Sequence, residues 1–233
     1  MAIHSETRAT TERASPGFAR IETWVFDLDN TLYPLDTGLG VDISGRITDY
    51  VQRLTGLPRC EAAALQRRYL EEHGLTLRGL MLHHGVDPDA YHAMFDDLPL
   101  EVLTRDETLI AGLRRLPGRR LIFTNADEGH SRRVLARIGL SDLFEGVFHI
   151  ASADFAPKPH PDAFARLIAT HDIRPATACF FDDRAVNLAP AAALGMTTVL
   201  VGLGAEANTD AFVCYRAPRL PLFLAGLRVR EPA

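Results

Sequence analysis

The stretch Trp24-Val25-Phe26-Asp27-Leu28-Asp29-Asn30-Thr31 decides the fold class and much of the chemistry. Its first three residues are aromatic or β-branched, which predicts a short buried strand. Asp27 then falls at the carboxyl end of that strand, where open α/β sheets bind their ligands. Side chains two residues apart on an extended chain point the same way, so we expect Asp27 and Asp29 to face one cleft. Two such carboxylates need a cation or a shared proton.

Four further apolar runs predict strands, and helical patterns lie between them. The predicted strands span residues 120–124, 147–151, 178–181 and 197–201. Residues 128–138 and 162–169 carry apolar side chains at helical spacing. Strands that alternate with helices predict an α/β fold with a doubly wound parallel sheet.

The first crossover is much longer than a simple one, because almost ninety residues separate Thr31 from the second strand. Apolar spacing predicts helices in this segment at 43–54, 60–72, 75–84 and 89–95. We therefore expect a helical cap at 35–105, inserted after the first strand, with hinges near Pro34 and at 100–106.

The remaining chain divides into a core and a tail. The core is expected at 21–34 and 106–233, with no role predicted for the segment after Val213 beyond packing on the core. Residues 1–20 mix charged and hydroxyl side chains without the apolar centre of a signal peptide, so we expect a flexible tail.

Composition and charge exclude several classes of protein. Hydrophobic residues make up 47% and charged residues 24%, which is typical of a globular protein. A formal net charge of -5 argues against a nucleic-acid polymer as partner, and no run of about 18 apolar residues predicts a membrane span. The three cysteines, Cys60, Cys179 and Cys214, lack close pairing and zinc spacing, which predicts reduced thiols in a cytoplasmic protein. The sequence makes no prediction of oligomeric state.

Each remaining strand is followed by polar side chains, as the first is. Thr124 and Asn125 follow the second strand, with a hydroxyl and an amide suited to phosphate oxygens. Lys158 follows the third, between two prolines that stiffen the backbone that aims it. Asp182 and Asp183 follow the fourth. A hard cation, most simply Mg²⁺, would offset the four clustered carboxylates, and with Lys158 it would hold a dianionic phosphate beside Asp27.

These residues, in this order, resemble the four motifs of the haloacid dehalogenase superfamily. Asp27-Leu28-Asp29-Asn30-Thr31 corresponds to the first motif, Thr124 to the second, Lys158 to the third and Asp182-Asp183 to the fourth. The resemblance implies a Rossmann-like parallel sheet in the order 5-4-1-2-3. It also implies that Asp27 attacks phosphorus to form an aspartyl-phosphate, while Asp29 protonates the leaving oxygen and then activates water.

The same resemblance implies the ligands of the metal and the phosphate. The Asp27 carboxylate, the Asp29 backbone carbonyl and the Asp183 carboxylate would hold Mg²⁺, with Asp182 acting through water. Thr124, the backbone around Asn125 and Lys158 would hold the phosphoryl group. Haloacid dehalogenases proper lack an acid/base aspartate two residues after the nucleophile, so Asp29 favours phosphoryl transfer.

The cap segment is similar to that of the pyrimidine 5′-nucleotidase branch of the superfamily. The similarity is carried by Tyr69-Leu70-Glu71-Glu72-His73-Gly74-Leu75-Thr76-Leu77-Arg78-Gly79-Leu80, followed by His83 and Val86. It implies a small phosphorylated metabolite as substrate, such as UMP or CMP. Arg78, with Gly79 beside it, is a candidate for contacting the bound phosphate or base.

Two alternatives remain open from the sequence. A sugar-phosphate phosphatase or a phosphomutase would use the same core residues, because the acceptor of the phosphoryl group alone separates them. A non-catalytic binding or regulatory protein with the same fold is the alternative from a different class.

Overall fold

The computed structural model describes residues 18–228, and six parallel strands form its one sheet. The strands are β1 (Thr23–Phe26), β2 (Arg119–Phe123), β3 (Gly146–Phe148), β4 (Ala178–Asp182), β5 (Thr197–Val201) and β6 (Tyr215–Ala217). Their order is β3-β2-β1-β4-β5-β6. The first five strands follow the expected order 5-4-1-2-3, read from the other edge, and β6 is an addition that was not predicted. The α/β Rossmann-like class is confirmed.

β1 lies inside the sheet, between β2 and β4, and all four of its side chains are buried. Trp24 and Phe26 belong to the hydrophobic cluster on one face, and Val25 to the cluster on the other. β1 pairs with β2 on one side and with β4 on the other. A strand buried on both faces explains the continuous apolar run in the sequence.

Helices cover both faces of the sheet. They are α1 (Leu39–Thr55), α2 (Arg59–His73), α3 (Thr76–His84), α4 (Pro88–His92), α5 (Glu107–Arg114), α6 (Glu128–Arg137), α7 (Pro161–His171), α8 (Ala185–Ala193) and α9 (Leu220–Gly226). Residues of α5, α6 and α9 join the cluster that holds Trp24, while residues of α7 and α8 join the cluster that holds Val25. Within residues 18–228, none of the helices is both long and apolar enough to cross a membrane.

The long first crossover is helical, as predicted. It contains α1 to α4, and residues 35–105 are called the helical insertion below. The predicted helix at 89–95 differs in detail, because α4 ends at His92 and the chain continues as a 3₁₀ turn over Ala93–Phe95. The boundaries of a separate cap domain remain a prediction.

The amino-terminal end of the core differs from expectation, whereas the segment after Val213 packs on the core as expected. Residues 1–17 of the predicted tail lie outside the described residues, but Phe18 is buried against Trp24, Tyr215 and Phe223, so the core begins before residue 21. After Val213 the chain forms β6 and α9. α9 packs so closely on α5 that a Cβ atom on Gly112 would lie 2.7 Å from Leu224 Cβ.

Gly79 lets α2 and α3 approach each other, which gives a testable consequence. A Cβ atom at Gly79 would lie 2.4 Å from Cγ of the buried Tyr69 ring. Gly79→Ala should therefore lower the free energy of unfolding by about 1–3 kcal/mol, measured by chemical denaturation, because overpacking outweighs the better helix propensity of alanine.

Gly45→Ala is the matched control. Gly45 also lies inside a helix, α1, but a Cβ atom there would meet nothing within 4 Å. This substitution should raise the free energy of unfolding by up to about 1 kcal/mol. If the two substitutions changed the free energy of unfolding equally, the close approach of Gly79 to Tyr69 would not affect stability.

Candidate active site

The carboxyl ends of β1, β2 and β4 bring the predicted site residues to one edge of the sheet. Asp27 directly follows β1, and its backbone N–H donates to the Phe181 carbonyl at 2.8 Å. Thr124 directly follows β2, while Asp182 is the last residue of β4 and Asp183 comes next. The juxtaposition expected from parallel strand ends is therefore observed.

Lys158 reaches into this edge from the loop after β3. Its side chain is 1% exposed, and Nζ donates to Asp27 Oδ1 at 2.7 Å, Asp182 Oδ2 at 2.8 Å and the Phe123 carbonyl at 2.7 Å. These three bonds use every donor of an ammonium group. Burial opposes the charged amine, but the neighbouring carboxylates of Asp182 and Asp27 outweigh it and raise the pKa of Lys158.

Asn125 fixes the backbone that carries Lys158. Asn125 Oδ1 accepts from the Lys158 N–H at 2.8 Å, and Asn125 Nδ2 donates to the Lys158 carbonyl at 3.1 Å. The side-chain amide of Asn125, which was predicted to bind phosphate, thus bonds both the N–H and the carbonyl of the Lys158 backbone. Thr124 is buried, and its hydroxyl accepts from the Ala126 N–H at 3.0 Å, which leaves the hydroxyl proton free to donate.

Asp182 is fully buried and saturated by donors from the protein. Asp182 Oδ1 accepts from the Arg184 N–H at 2.9 Å and from Asn187 Nδ2 at 2.9 Å. Asp182 Oδ2 accepts from Lys158 Nζ and, at 3.1 Å, from the same Asn187 amide. Its main structural effect is to position Lys158.

Asp27, Asp182 and Asp183 form a cluster of three carboxylates that suits a hard cation. One oxygen from each lies within 4.8 Å of the others, and oxygen is the ligand that Mg²⁺ prefers. Burial, reinforced by Asp182 and Asp183, raises the pKa of Asp27 to about 8 against the opposing effect of Lys158. Burial and Asp182 raise the pKa of Asp183 to about 6. Both shifts oppose ionisation of Asp27 and Asp183 beside Asp182 when Lys158 is the only nearby cation, so a divalent cation would be needed to hold all three groups as carboxylates.

Asp29 lies in a different environment from Asp27, although only one residue separates them. Asp29 Oδ1 accepts from the Tyr33 hydroxyl at 2.5 Å and lies 2.8 Å from His130 Nε2, while Asp29 Oδ2 receives no hydrogen bond from residues 18–228. Burial opposes ionisation of Asp29, but the charge of His130 and the bonds from His130 and Tyr33 hold its pKa below the usual value.

The contact between His130 and Asp29 was not predicted from the sequence. The sequence prediction also overlooked that Lys158 is the only lysine in the chain. His130 lies in the first turn of α6, one helical turn before the buried Val134, so the helix period places both on the buried face. A histidine on a core-facing stripe beside a strand end was the available signal. Of the 25 lysine and arginine residues in the sequence, only Lys158 is a lysine.

A cavity of about 180 Å³ lies between the sheet edge and the helical insertion. Asp29 and His130 line it on the core side, with Asn125, Ala126 and Asp127 beside them. The insertion contributes mostly apolar and aromatic side chains, namely Ile43, Ile47, Leu75, Tyr91, His92 and Phe95. The cavity therefore has a polar end that contains Asp29 and His130 and an apolar wall, while Asp27, Thr124 and Lys158 are not among its lining residues.

Arg78 and Gly79 do not line this cavity. Arg78 Nη1 donates to the Phe155 carbonyl at 2.7 Å, which links α3 to the loop before Lys158. Gly79 packs against Tyr69 within the insertion. A role for these two residues in contacting substrate remains a prediction, and the geometry gives both of them packing contacts.

Comparisons with known proteins identify a curated relative, several solved structures and a family. The chain is similar to phosphate metabolism protein 8 of Saccharomyces cerevisiae, with 28% identity over 195 residues, which cover 77% of this chain and 61% of that protein. The chain therefore spans about three-fifths of the length of this curated relative.

Solved structures share the fold. The L-2-haloacid dehalogenase of Xanthobacter autotrophicus matches with a TM-score of 0.55 and 19% identity, over 89% of this chain and 100% of that one. A HAD phosphatase of Thermococcus onnurineus matches with a TM-score of 0.56 and 23% identity, over 90% and 100% of the two chains. The fold is thus common to dehalogenases and phosphatases.

A family model described as haloacid dehalogenase-like hydrolase matches residues 21–195. That range includes Asp27, Asp29, Thr124, Lys158 and Asp183. The chain belongs to the family of haloacid dehalogenase-like hydrolases.

Proposed function

We propose that this protein is a Mg²⁺-dependent phosphomonoester hydrolase that works through an aspartyl-phosphate on Asp27. The observation that carries the proposal is the contrast between the two carboxylates of the first motif. Asp27 contacts Lys158 and the carboxylate cluster, whereas Asp29 is held apart by Tyr33 and His130. Two carboxylates with different surroundings suit two different tasks, nucleophile and acid/base.

The first displacement transfers the phosphoryl group to Asp27. A carboxylate oxygen of Asp27 forms a bond to phosphorus while the bond from phosphorus to the ester oxygen breaks. Asp29 is ionised in the free enzyme, so it must first take up a proton in the substrate complex, which the nearby dianionic phosphate favours; it then donates that proton to the departing oxygen, and the product leaves as an alcohol. Tyr33 and His130 both bind Asp29 Oδ1, which holds the carboxyl group in place and leaves Asp29 Oδ2 for the proton transfer.

The second displacement returns the enzyme to its starting state. Asp29 takes a proton from water, the water oxygen bonds to phosphorus, and the bond between phosphorus and Asp27 breaks to release phosphate. The Thr124 hydroxyl would bind a phosphoryl oxygen in both steps, and so would Lys158, whose donor to Asp27 would turn to the phosphoryl group once Asp27 reacts.

Mg²⁺ would be held by the Asp27 and Asp183 carboxylates and the Asp29 carbonyl. When bound, it supplies positive charge against the phosphoryl oxygens and the clustered carboxylates. The saturation of Asp182 by Lys158, Asn187 and a backbone N–H supports an indirect role for that residue, through water and through Lys158.

The apolar wall of the cavity supports a nucleoside monophosphate as substrate, with UMP or CMP as the leading candidates. The insertion presents aliphatic and aromatic side chains to the cavity, together with His92. A planar base gains from such a wall, whereas a hexose would lose hydrogen bonds from its hydroxyls there.

The name of the yeast relative, which refers to phosphate metabolism, agrees with phosphoryl chemistry. The free cysteines agree with a cytoplasmic location.

Phosphate release from a panel of substrates tests this proposal. The panel contains UMP, CMP, their deoxy forms, AMP, GMP, glucose 1-phosphate and glucose 6-phosphate, each measured with Mg²⁺ and with EDTA. We expect Mg²⁺-dependent release with kcat/KM highest for the pyrimidine nucleotides. L-2-Chloropropionate, followed by chloride release, serves as the control for dehalogenase chemistry and should not react.

Three outcomes would contradict parts of the proposal separately. Equal rates on every ester would exclude nucleotidase specificity while leaving the chemistry intact. An isomerised hexose phosphate in place of free phosphate would identify a mutase. A lack of Mg²⁺-dependent release from any ester would exclude the phosphatase and favour a binding or regulatory protein.

A further inference from the structure

Two histidines of the helical insertion point the same nitrogen atom at each other, outside the active site. His73 is the last residue of α2, and His83 lies near the end of α3. Their Nε2 atoms are 3.2 Å apart. Two Nε2 atoms that each lie 2.0–2.1 Å from one tetrahedral zinc ion are about 3.3 Å apart, so the observed separation is that of two ligands of a single ion.

The packing of the two helices fixes the orientation of the rings. The Tyr69 ring, which is buried, stacks on His83 with a centroid distance of 5.2 Å and an angle of 15°, and lies 5.7 Å from the His73 ring. Gly79 provides the space for Tyr69. The contact with Tyr69 restricts one side of each ring, so binding an ion would cost less side-chain entropy than at two unrestrained histidines, although His83 is exposed to solvent.

Glu72 would serve as a third ligand after its side chain rotates, because in this structure none of its oxygens lies within 4.8 Å of both histidine nitrogens. Glu72 Oε2 lies 3.8 Å from His73 Nε2, and the Glu72 side chain is 53% exposed and therefore free to rotate. The neighbouring His84 is already engaged, since its Nε2 lies 3.0 Å from the Tyr69 hydroxyl. Two imidazoles and one carboxylate, with the exposed side open to water, suit Zn²⁺ and related transition metals better than Mg²⁺.

We propose that His73 and His83, with Glu72, form a second metal site that binds Zn²⁺ or a similar divalent transition metal. The alternative is a hydrogen bond from one neutral imidazole to the other, which has the same distance. Only metal binding predicts a stoichiometric ligand, so the two are separable by titration.

The position of this site connects it to the catalytic loop. His73 directly precedes Gly74, where a Cβ atom would lie 3.2 Å from Pro157 Cγ and 3.5 Å from the Lys158 carbonyl. Leu75, the next residue, lines the cavity. An ion that joins the ends of α2 and α3 would therefore rigidify the turn that packs on the lysine loop. This inference does not depend on the proposed substrate or reaction.

Calorimetric titration of the full chain with Zn²⁺ tests the site, in excess Mg²⁺ to occupy the acidic cluster. We expect one equivalent of bound Zn²⁺, and a Kd raised by at least about 100-fold in His73→Gln and in His83→Gln, since even residues that only support a ligand contribute 10–100-fold. His84→Gln is the matched control and should bind as the unaltered protein does. Thermal unfolding without Zn²⁺ verifies that each variant is folded.

A second readout separates the histidine pair from the acidic cluster. Asp183→Asn should retain the equivalent of Zn²⁺ that His83→Gln loses, and Zn²⁺ should raise the melting temperature of Asp183→Asn but not of His83→Gln. Failure of the unaltered protein to bind Zn²⁺ in excess Mg²⁺ would overturn the proposal. Unchanged binding in both histidine variants would overturn it as well.

Discussion

Asp27→Asn should reduce turnover of every phosphate ester by roughly 10⁴-fold or more, because removing the nucleophile of a covalent mechanism leaves only binding and electrostatic effects. The amide keeps an oxygen that accepts from Lys158, so the free energy of unfolding should change by no more than about 2 kcal/mol. Steady-state phosphate release and chemical denaturation measure the two quantities. An enzyme that keeps its activity would exclude Asp27 as nucleophile.

Chemical trapping makes the same prediction more specific. Reduction of an aspartyl-phosphate by borohydride converts that aspartate to homoserine, which mass spectrometry locates in the chain. We expect the label at position 27 in the unaltered protein and its absence in Asp27→Asn. A label at another carboxylate would assign the nucleophile elsewhere.

Asp29→Asn is the matched control, because it alters the neighbouring carboxylate and leaves the nucleophile. It should still form the phosphoenzyme from an aryl phosphate, whose leaving group departs without a proton. Turnover of a nucleotide should fall by about 10²–10⁴-fold, the usual contribution of a general acid/base. Because Asp29 also activates water in the second step, the test compares the rates of phosphoenzyme formation: equal losses of that rate on both kinds of ester would argue against proton donation by Asp29.

Lys158→Met should impair both stability and catalysis, which is the second large effect. The ammonium group is buried between Asp27 and Asp182, so its removal leaves two carboxylates without their cation. Breaking a buried ion pair from one side costs about 3–5 kcal/mol of unfolding free energy. Loss of the phosphate contact should lower kcat/KM by at least about 10²-fold. Denaturation and phosphate release measure these effects.

The double variant Lys158→Met with Asp182→Asn provides the control and remains informative if the single variant does not fold. Its second change removes the charge of one stranded carboxylate, so the double variant should be more stable than Lys158→Met alone. Activity should stay low in both, because neither contains the ammonium group. If the two changes had additive effects on unfolding, the Lys158–Asp182 contact would contribute little to the fold.

The strands and their parallel direction were predictable from patterns within the sequence, whereas the strand order was implied by the family resemblance. Five buried strands gave continuous apolar runs, and the polar residues that follow β1, β2 and β4 meet at one edge as parallel geometry requires. β6 was not predicted, because its residues Tyr215-Arg216-Ala217 form no apolar run, whereas the equally short edge strand β3 lies beside the apolar run at 147–151. Phe18 was assigned to the tail because its burial depends on Tyr215 and Phe223, which are distant in sequence.

The candidate site was predictable in its residues but less so in their contacts. The positions of Asp27 and Lys158 follow from strand ends, and the structure brings them to 2.7 Å. The two hydrogen bonds between Asn125 and the Lys158 backbone join two loops, and the sequence does not specify how these loops lie relative to each other. His73 and His83 are ten residues apart on two helices, and only the packing of those helices at Gly79 aligns their rings.

The single lysine offers a direct measure of how often the interior opens to solvent. Lys158 carries the only side-chain amine in the sequence, and in the folded protein it is 1% exposed. An acylating reagent therefore reaches Nζ only when local or global unfolding releases it. The rate of acylation at this one atom would report the free energy of opening at the reactive edge of the sheet, without any engineered probe.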